Sequence, residues 1–210
     1  MQFDQHDDRY ARTDEWIEVV RGLWREERFS FEGRFYRTEE AICSPKPAHA
    51  PILYAGGESE AAKTMIASRC DAYVMHGDPA AAIAPKIADM KTRRAAAGGA
   101  PMTFGMAAYA IVRDSEAEAK RELARITDVR ELPAGYANFD QWLSGTQLER
   151  ELKVQEYSVS NRGLRPNLVG TPEQLKERIA EYEAAGLDLL LLQMSPQAEE
   201  MERFAAQVMN

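Results

Sequence analysis

Pro51-Ile-Leu-Tyr-Ala-Gly-Gly-Glu-Ser-Glu60, and after it Asp71-Ala-Tyr-Val-Met-His-Gly-Asp-Pro79, carry the pattern that decides the fold. Ile52–Ala55 reads as a short apolar strand, Gly56–Ser59 as its turn and Glu60–Arg69 as a helix. Asp71–Met75 is the next strand, His76–Pro79 its turn, and Ala80–Ala97 a long helix stopped by Gly98-Gly99. The unit repeats downstream. Thr103–Arg113 is a longer strand, Asp114-Ser115 a cap, and a helix follows to about Thr127. Gly170-Thr-Pro-Glu173 makes Thr171 an N-cap with Pro172 at the first helical position. That helix runs to Ala185, where Gly186 stops it. Leu187–Gln193 reads as a buried strand and Pro196–Met209 as an amphipathic helix. Strands apolar on both faces, alternating with helices, predict a parallel α/β architecture. Four such strands are present, whereas a closed (β/α)8 barrel needs eight and about 250 residues. Periodicity therefore leaves half a barrel and a small open sheet as alternatives.

Upstream, Thr13–Trp24 reads as a helix, with Thr13 as N-cap, Asp14 and Glu15 in the first turn and apolar residues at helical spacing. Arg28–Arg37 alternates aromatic and polar residues around Glu32-Gly33, a hairpin pattern. Ser44–Pro51 is a Pro-rich connector. The stretch 128–167 is irregular and punctuated by Gly135, Gly145 and Gly163, which predicts a functional insertion or lid.

The composition is that of an ordered globular protein, with 45% hydrophobic and 29% charged residues in 210. A net charge of −8 without basic clusters argues against nucleic acid as a partner. The first residues lack the basic and apolar segments of a signal peptide, and Leu187–Leu192 is too short to cross a bilayer. Cys43 and Cys70 have no paired spacing, so reduced thiols are expected, not a disulfide or metal site. A cytoplasmic protein without membrane partners is the resulting expectation.

Candidate chemistry gathers where strands end and helices begin, the places at which α/β folds bind ligands. Gly56, Gly57, Glu58 and Ser59 form one such turn. Its glycines allow close backbone approach, and N–H groups with the Ser59 hydroxyl at a helix N-terminus suit a phosphate. The competing reading is a plain turn in which Ser59 only caps the helix. His76 holds the same place one unit later and is the one histidine at a strand's carboxyl end, suited to ligand contact or base chemistry. Asp78 reads as an N-cap, with Pro79 at the first helical position. Tyr73 and Tyr109 lie inside strands, where packing with a satisfied hydroxyl is the simplest role. Arg162 and Arg165, on a Gly-punctuated loop, read equally as an anion clamp or as solvated loop residues.

Taken in order, YARTDEWIEVVRGLW (10–24), FSFEGRFYR (29–37), PILYAGGESEAA (51–62), DAYVMHGDP (71–79), FGMAAYAIVRD (104–114), GYANFDQWLSGTQLE (135–149), YSVSNRGLRPNLVGTPEQ (157–174) and GLDLLLLQMSPQAEEMERFA (186–205) resemble the carboxyl-terminal part of the bacterial-luciferase-like flavin monooxygenases. Within that family the likeness is to the dimethylsulfone monooxygenases, near kin of the alkanesulfonate monooxygenases. The resemblance implies a (β/α)8 barrel of which this sequence holds the carboxyl-terminal half, since what precedes Tyr10 is too short for four strands. It implies reduced FMN and O2 as cofactor and co-substrate, a separate NAD(P)H-dependent flavin reductase, a homo-oligomer, and a small organosulfur substrate cleaved at its C–S bond.

The resemblance also assigns residues. The loop of Gly56, Gly57, Glu58 and Ser59 corresponds to the one holding the FMN phosphate, and His76 falls beside the flavin. Tyr109 occupies the position of an active-site histidine of the alkanesulfonate enzymes, and Ala107 that of an arginine. Both departures favour a small neutral sulfone over an anionic sulfonate. Arg162 or Arg165 corresponds to a lid arginine. Competing expectations are an alkanesulfonate monooxygenase, a catalytically silent half-barrel acting through a partner chain, and a sugar-phosphate barrel enzyme. The last would need a lysine or carboxylate at a strand end, where His76 and glycine turns stand instead.

Overall fold

The computed structural model describes residues 6–128 and 163–210. The chain divides into two compact units: Met1–Tyr73 with Met90–Met102, and Val74–Asp89 with Thr103–Asn210.

In the first unit, helix α1 (His6–Arg25) begins earlier than its apolar spacing suggests. The Thr13 hydroxyl does not cap it but donates to the Arg9 carbonyl at 2.9 Å, while Asp7 and Asp8 fill the first turn, where the helix dipole favours acids. Strands β1 (Phe29–Glu32) and β2 (Arg37–Ala41) form the expected antiparallel hairpin. Glu15 fastens it to the helix: its carboxylate accepts the N–H groups of Arg34, Phe35 and Tyr36 at 2.9, 2.8 and 3.1 Å. Strand β3 (Tyr54–Gly56) lies two residues later than the apolar run implies, and α2 spans Glu60–Arg69. The Arg69 guanidinium binds Asp14 at 2.7 and 3.0 Å and Glu18 at 2.5 Å, locking α2 to α1.

Strand β4 (Ala72–Met75) and helix α3 (Ala80–Ala96) have residues in both units. In the second unit, the single strand expected over Thr103–Arg113 is two. β5 (Thr103–Tyr109) and β6 (Ile111–Val112) are separated by Ala110 and belong to different sheets. The cause is a change of partner along consecutive N–H groups. That of Tyr109 donates to Gly163 at 2.7 Å, that of Ala110 to Gln193 at 3.1 Å and that of Ile111 to Leu168 at 2.8 Å. Helix α4 (Glu116–Ile126) is capped by Ser115, whose hydroxyl accepts from Glu118 N–H. Strand β7 (Val169–Gly170) pairs parallel with β6. Helix α5 (Pro172–Ala184) starts at the expected Thr171 cap, reinforced by Gln174 in a capping box. Strand β8 (Leu189–Gln193) pairs parallel with β5, and α6 spans Gln197–Val208.

The main sheet has the order β3-β4-β5-β8 and is flanked by helices in sequence alternation, the α/β arrangement with a parallel β5–β8 pair that the pattern predicted. One expectation fails at its edge. β8 is not a buried strand, and Leu191 is 44% exposed, because among the described residues β8 has a neighbouring strand on one side only. Most of the irregular stretch 128–167, Arg162 included, lies outside the described residues. No helix among the described residues is long and apolar enough to cross a membrane.

Burial raises the Glu15 pKa, but the Phe35, Arg34 and Tyr36 N–H donors and the nearby Arg34 charge outweigh it and hold the carboxyl below its ordinary value. A depressed native pKa supplies stability above the unfolded value that is lost as pH falls through the native one. Amide exchange at Phe35 and Tyr36 is therefore expected to accelerate below the ordinary carboxylate range, and Glu15→Gln to show faster exchange there already at neutral pH. Equal protection in both proteins at neutral pH would refute the clip.

Candidate functional site

Two places bring predicted site residues together, one in each unit. In the first, Gly56 and Gly57 end β3, and Glu58 and Ser59 lead into α2. Gly57 sits at φ 154°, where a Cβ would come 2.7 Å from the Ala62 Cβ and 3.0 Å from the Tyr10 hydroxyl. The position therefore needs glycine both sterically and conformationally. The Gly57 carbonyl accepts the Tyr73 hydroxyl at 3.1 Å, so Tyr73 is a core tyrosine that braces the turn. Ser59 is the N-cap of α2: its hydroxyl accepts from Ala62 N–H at 3.2 Å. The capping reading is thus realised, and the remaining first-turn N–H groups have no partner within the helix. Tyr10, which spacing did not single out, places a hydroxyl against the same turn. Serine and tyrosine hydroxyls, backbone N–H groups and a helix N-terminus are a donor set that fits a phosphate.

The second place is one face of the sheet in the second unit. A Cβ at Gly105 would meet Leu189 at 3.6 Å and Val74 at 3.6 Å, so those residues share a face. Parallel register pairs Ala107 with Leu191 and Tyr109 with Gln193. Strand alternation then assigns Val74 and His76, Ala107 and Tyr109, and Leu191 and Gln193 to that same face, with His76, Tyr109 and Gln193 at the carboxyl ends. His76 is half-buried. The alternate residues Leu190 and Leu192 face α5 and α6 and line an apolar cavity of 680 Å³ with Ile179, Met201 and Phe204. That cavity lies on the helix side, away from His76.

Tyr109 is 4% exposed and belongs to an apolar cluster with Ile111 and Ala119, against which Leu123, Leu164 and Val169 pack. Burial pushes its hydroxyl pKa up, as do the charges of Glu122 and Glu200, while a hydrogen bond with Ser195 acts the other way.

Asp78 departs from its expected role. It does not cap α3. Its carboxylate, 1% exposed, meets Lys86 Nζ at 3.0 Å and Arg165 Nη1 at 3.4 Å. The Tyr182 hydroxyl donates to the Asp78 carbonyl at 3.0 Å and to Pro166 at 3.2 Å. Burial, with the Glu181 and Asp78 charges, pushes the Tyr182 pKa up to about 12, keeping it a donor. Arg165 thus has an anchoring partner that loop spacing could not show, because Asp78 lies 87 residues away in sequence.

The luciferase-like monooxygenase model matches residues 2–189. The chain belongs to that family. It is 34% identical over 98% of its length to an FMNH2-dependent dimethylsulfone monooxygenase of Pseudomonas fluorescens (strain Pf0-1), and 33% identical over 98% to one of Pseudomonas putida. It covers 58% and 59% of those proteins. Among solved structures, a long-chain alkane monooxygenase superposes with a TM-score of 0.79 at 19% identity, covering 99% of this chain and 56% of that one. DmoA from Hyphomicrobium sulfonivorans gives 0.74 at 16% identity, with 99% and 56% covered. These likenesses show the fold.

Asp78→Asn removes the buried negative charge that Lys86 and Arg165 face. The expected loss is about 3 kcal/mol in urea unfolding. A loss below about 0.5 kcal/mol, the range of an ordinary surface substitution, would refute the anchoring role.

Proposed function

We propose that this chain works in an FMNH2-dependent monooxygenase that oxygenates a small neutral organosulfur compound, with dimethyl sulfone as the leading substrate. The observation that carries the reading is the 34% identity over 98% of the chain to a dimethylsulfone enzyme. The Gly56–Ser59 turn supports it, since its donor set suits a dianionic phosphate. The overall conversion takes dimethyl sulfone, O2 and the two electrons and two protons of reduced FMN to methanesulfinic acid, formaldehyde and water. One oxygen atom enters formaldehyde, the other leaves as water, and a C–S bond breaks. Reduced FMN, when bound, supplies the electrons that activate O2, and a flavin reductase using NAD(P)H regenerates it.

The chain's own residues divide the remaining work. Gly57 lets the backbone approach the phosphate, while Ser59 and Glu58 present N–H groups at the start of α2, with the Tyr10 hydroxyl beside them. Ser59 also fixes the helix, so its hydroxyl serves the site by holding the N–H groups in place. His76 borders the substrate-facing side of the sheet as a hydrogen-bonding or proton-holding group. Ala107 leaves room there without a charge, which suits a neutral sulfone. Tyr109, protonated and packed, supports the strand ends by way of Ser195. Arg165 anchors the segment after residue 162 through Asp78.

A second reading is favoured by one observation, the open side of β8 with Leu191 44% exposed. In it the chain is a half-barrel that acts only when further strands are supplied by a partner chain.

The test measures sulfone-dependent formaldehyde release with reductase, NADH and FMN present, and the affinities for FMN and riboflavin. The expected outcome is turnover and a preference for FMN of at least about tenfold, the worth of one charge-assisted hydrogen bond. Gly57→Ala should abolish that preference and cost about 1–3 kcal/mol of stability, from backbone strain. Equal affinity for FMN and riboflavin would overturn the phosphate assignment. Turnover only after adding the amino-terminal segment of a relative would favour the half-barrel reading.

A further inference from the structure

Gln193 is the last residue of β8 and stands in register with Tyr109. Its main chain is fixed, since its carbonyl accepts the Ala110 N–H at 3.1 Å. Its side chain is exposed, and among the described residues none hydrogen-bonds its amide. Alternation puts that amide on the face shared by His76, Ala107 and Leu191, at the carboxyl ends of the strands. Below it, Ala107 and the 44%-exposed Leu191 form an apolar floor. An exposed amide above a small apolar floor suits a compact molecule that is apolar at one end and hydrogen-bond-accepting at the other.

We infer that the Gln193 side-chain amide donates a hydrogen bond to the substrate's sulfonyl oxygen and sets selectivity for a neutral sulfone. The inference rests on the monooxygenase reading and deepens it. The amide N–H2 binds a sulfonyl oxygen without bringing a formal charge. The alkyl groups rest on Leu191 and in the space that the short Ala107 side chain leaves open. An anionic sulfonate gains no counter-charge from Gln193. A thioether of the same shape offers the amide no sulfonyl oxygen, so that hydrogen bond is lost and the amide stays with water.

The experiment compares the unsubstituted protein, Gln193→Leu, Gln193→Glu and Gln193→Arg in the reductase-coupled assay, with FMN affinity and thermal melting recorded for each. Gln193→Leu and Gln193→Glu are expected to lower kcat/KM for dimethyl sulfone by about tenfold or more, chiefly through KM, with FMN affinity unchanged. Gln193→Arg should shift the methanesulfonate-to-sulfone ratio toward the anion by at least about tenfold. The unsubstituted protein should bind dimethyl sulfide at least about tenfold more weakly than the sulfone, a readout that needs no variant. Unchanged kcat/KM in Gln193→Leu, or equal binding of sulfide and sulfone, would overturn the role of Gln193 while leaving the monooxygenase reading intact. An unsubstituted protein that neither binds nor turns over the sulfone would overturn both.

Discussion

A carboxylate with almost no access to water holds the second unit in order. Asp78 is buried to 1% exposure between Lys86 and Arg165, and its own carbonyl is held by Tyr182. Desolvating a charge is costly, and such a group persists only where its partners are fixed in place. Satisfying Asp78 therefore draws together the turn after β4, the first turns of α3, the Gly163–Pro166 segment and α5. His76 lies two residues before it, so the placement of that histidine follows from an ion-pair cluster and not from the strand alone.

Strand geometry supplies the second constraint. Once β5 and β8 pair in parallel with Gly105 beside Leu189, every side chain of both strands is assigned to one face or the other. One face receives Leu190 and Leu192 and closes against α5 and α6. The other receives Ala107, Leu191 and Gln193. The apolar cavity and the polar strand ends thus fall on opposite sides of the same strands.

Much of this was legible in the sequence. Glu60–Arg69 and the Ser115 and Thr171 caps were readable because local hydrogen bonds fix them: a side-chain oxygen and an N–H three residues on suffice. Elements ruled by distant partners were not. Thr13 looks like a cap, yet the helix runs past it, since Asp7 and Asp8 offer an earlier start. Thr103–Arg113 reads as one continuous strand, but Ala110 divides it, because the acceptors at Gly163, Gln193 and Leu168 come from far along the chain. Asp78 before Pro79 has every local mark of a cap, and only the fold brings Lys86 and Arg165 to it. At the candidate site, the Gly-Gly turn and His76 were visible from their position between strand and helix. Gln193 was hidden within a run of leucines, where its face depends on a register that no single strand reveals. Tyr10 was hidden because it reaches the turn from another helix.

The break at Ala110 has a further meaning. Three successive amides are tied to two separate stretches of backbone, Gly163–Leu168 and the end of β8, so this short piece of chain behaves as a knot where forces from both meet. A change of length in either stretch would therefore be transmitted to the strand end that carries Tyr109, whereas substitutions that keep those carbonyls in place leave its moorings intact.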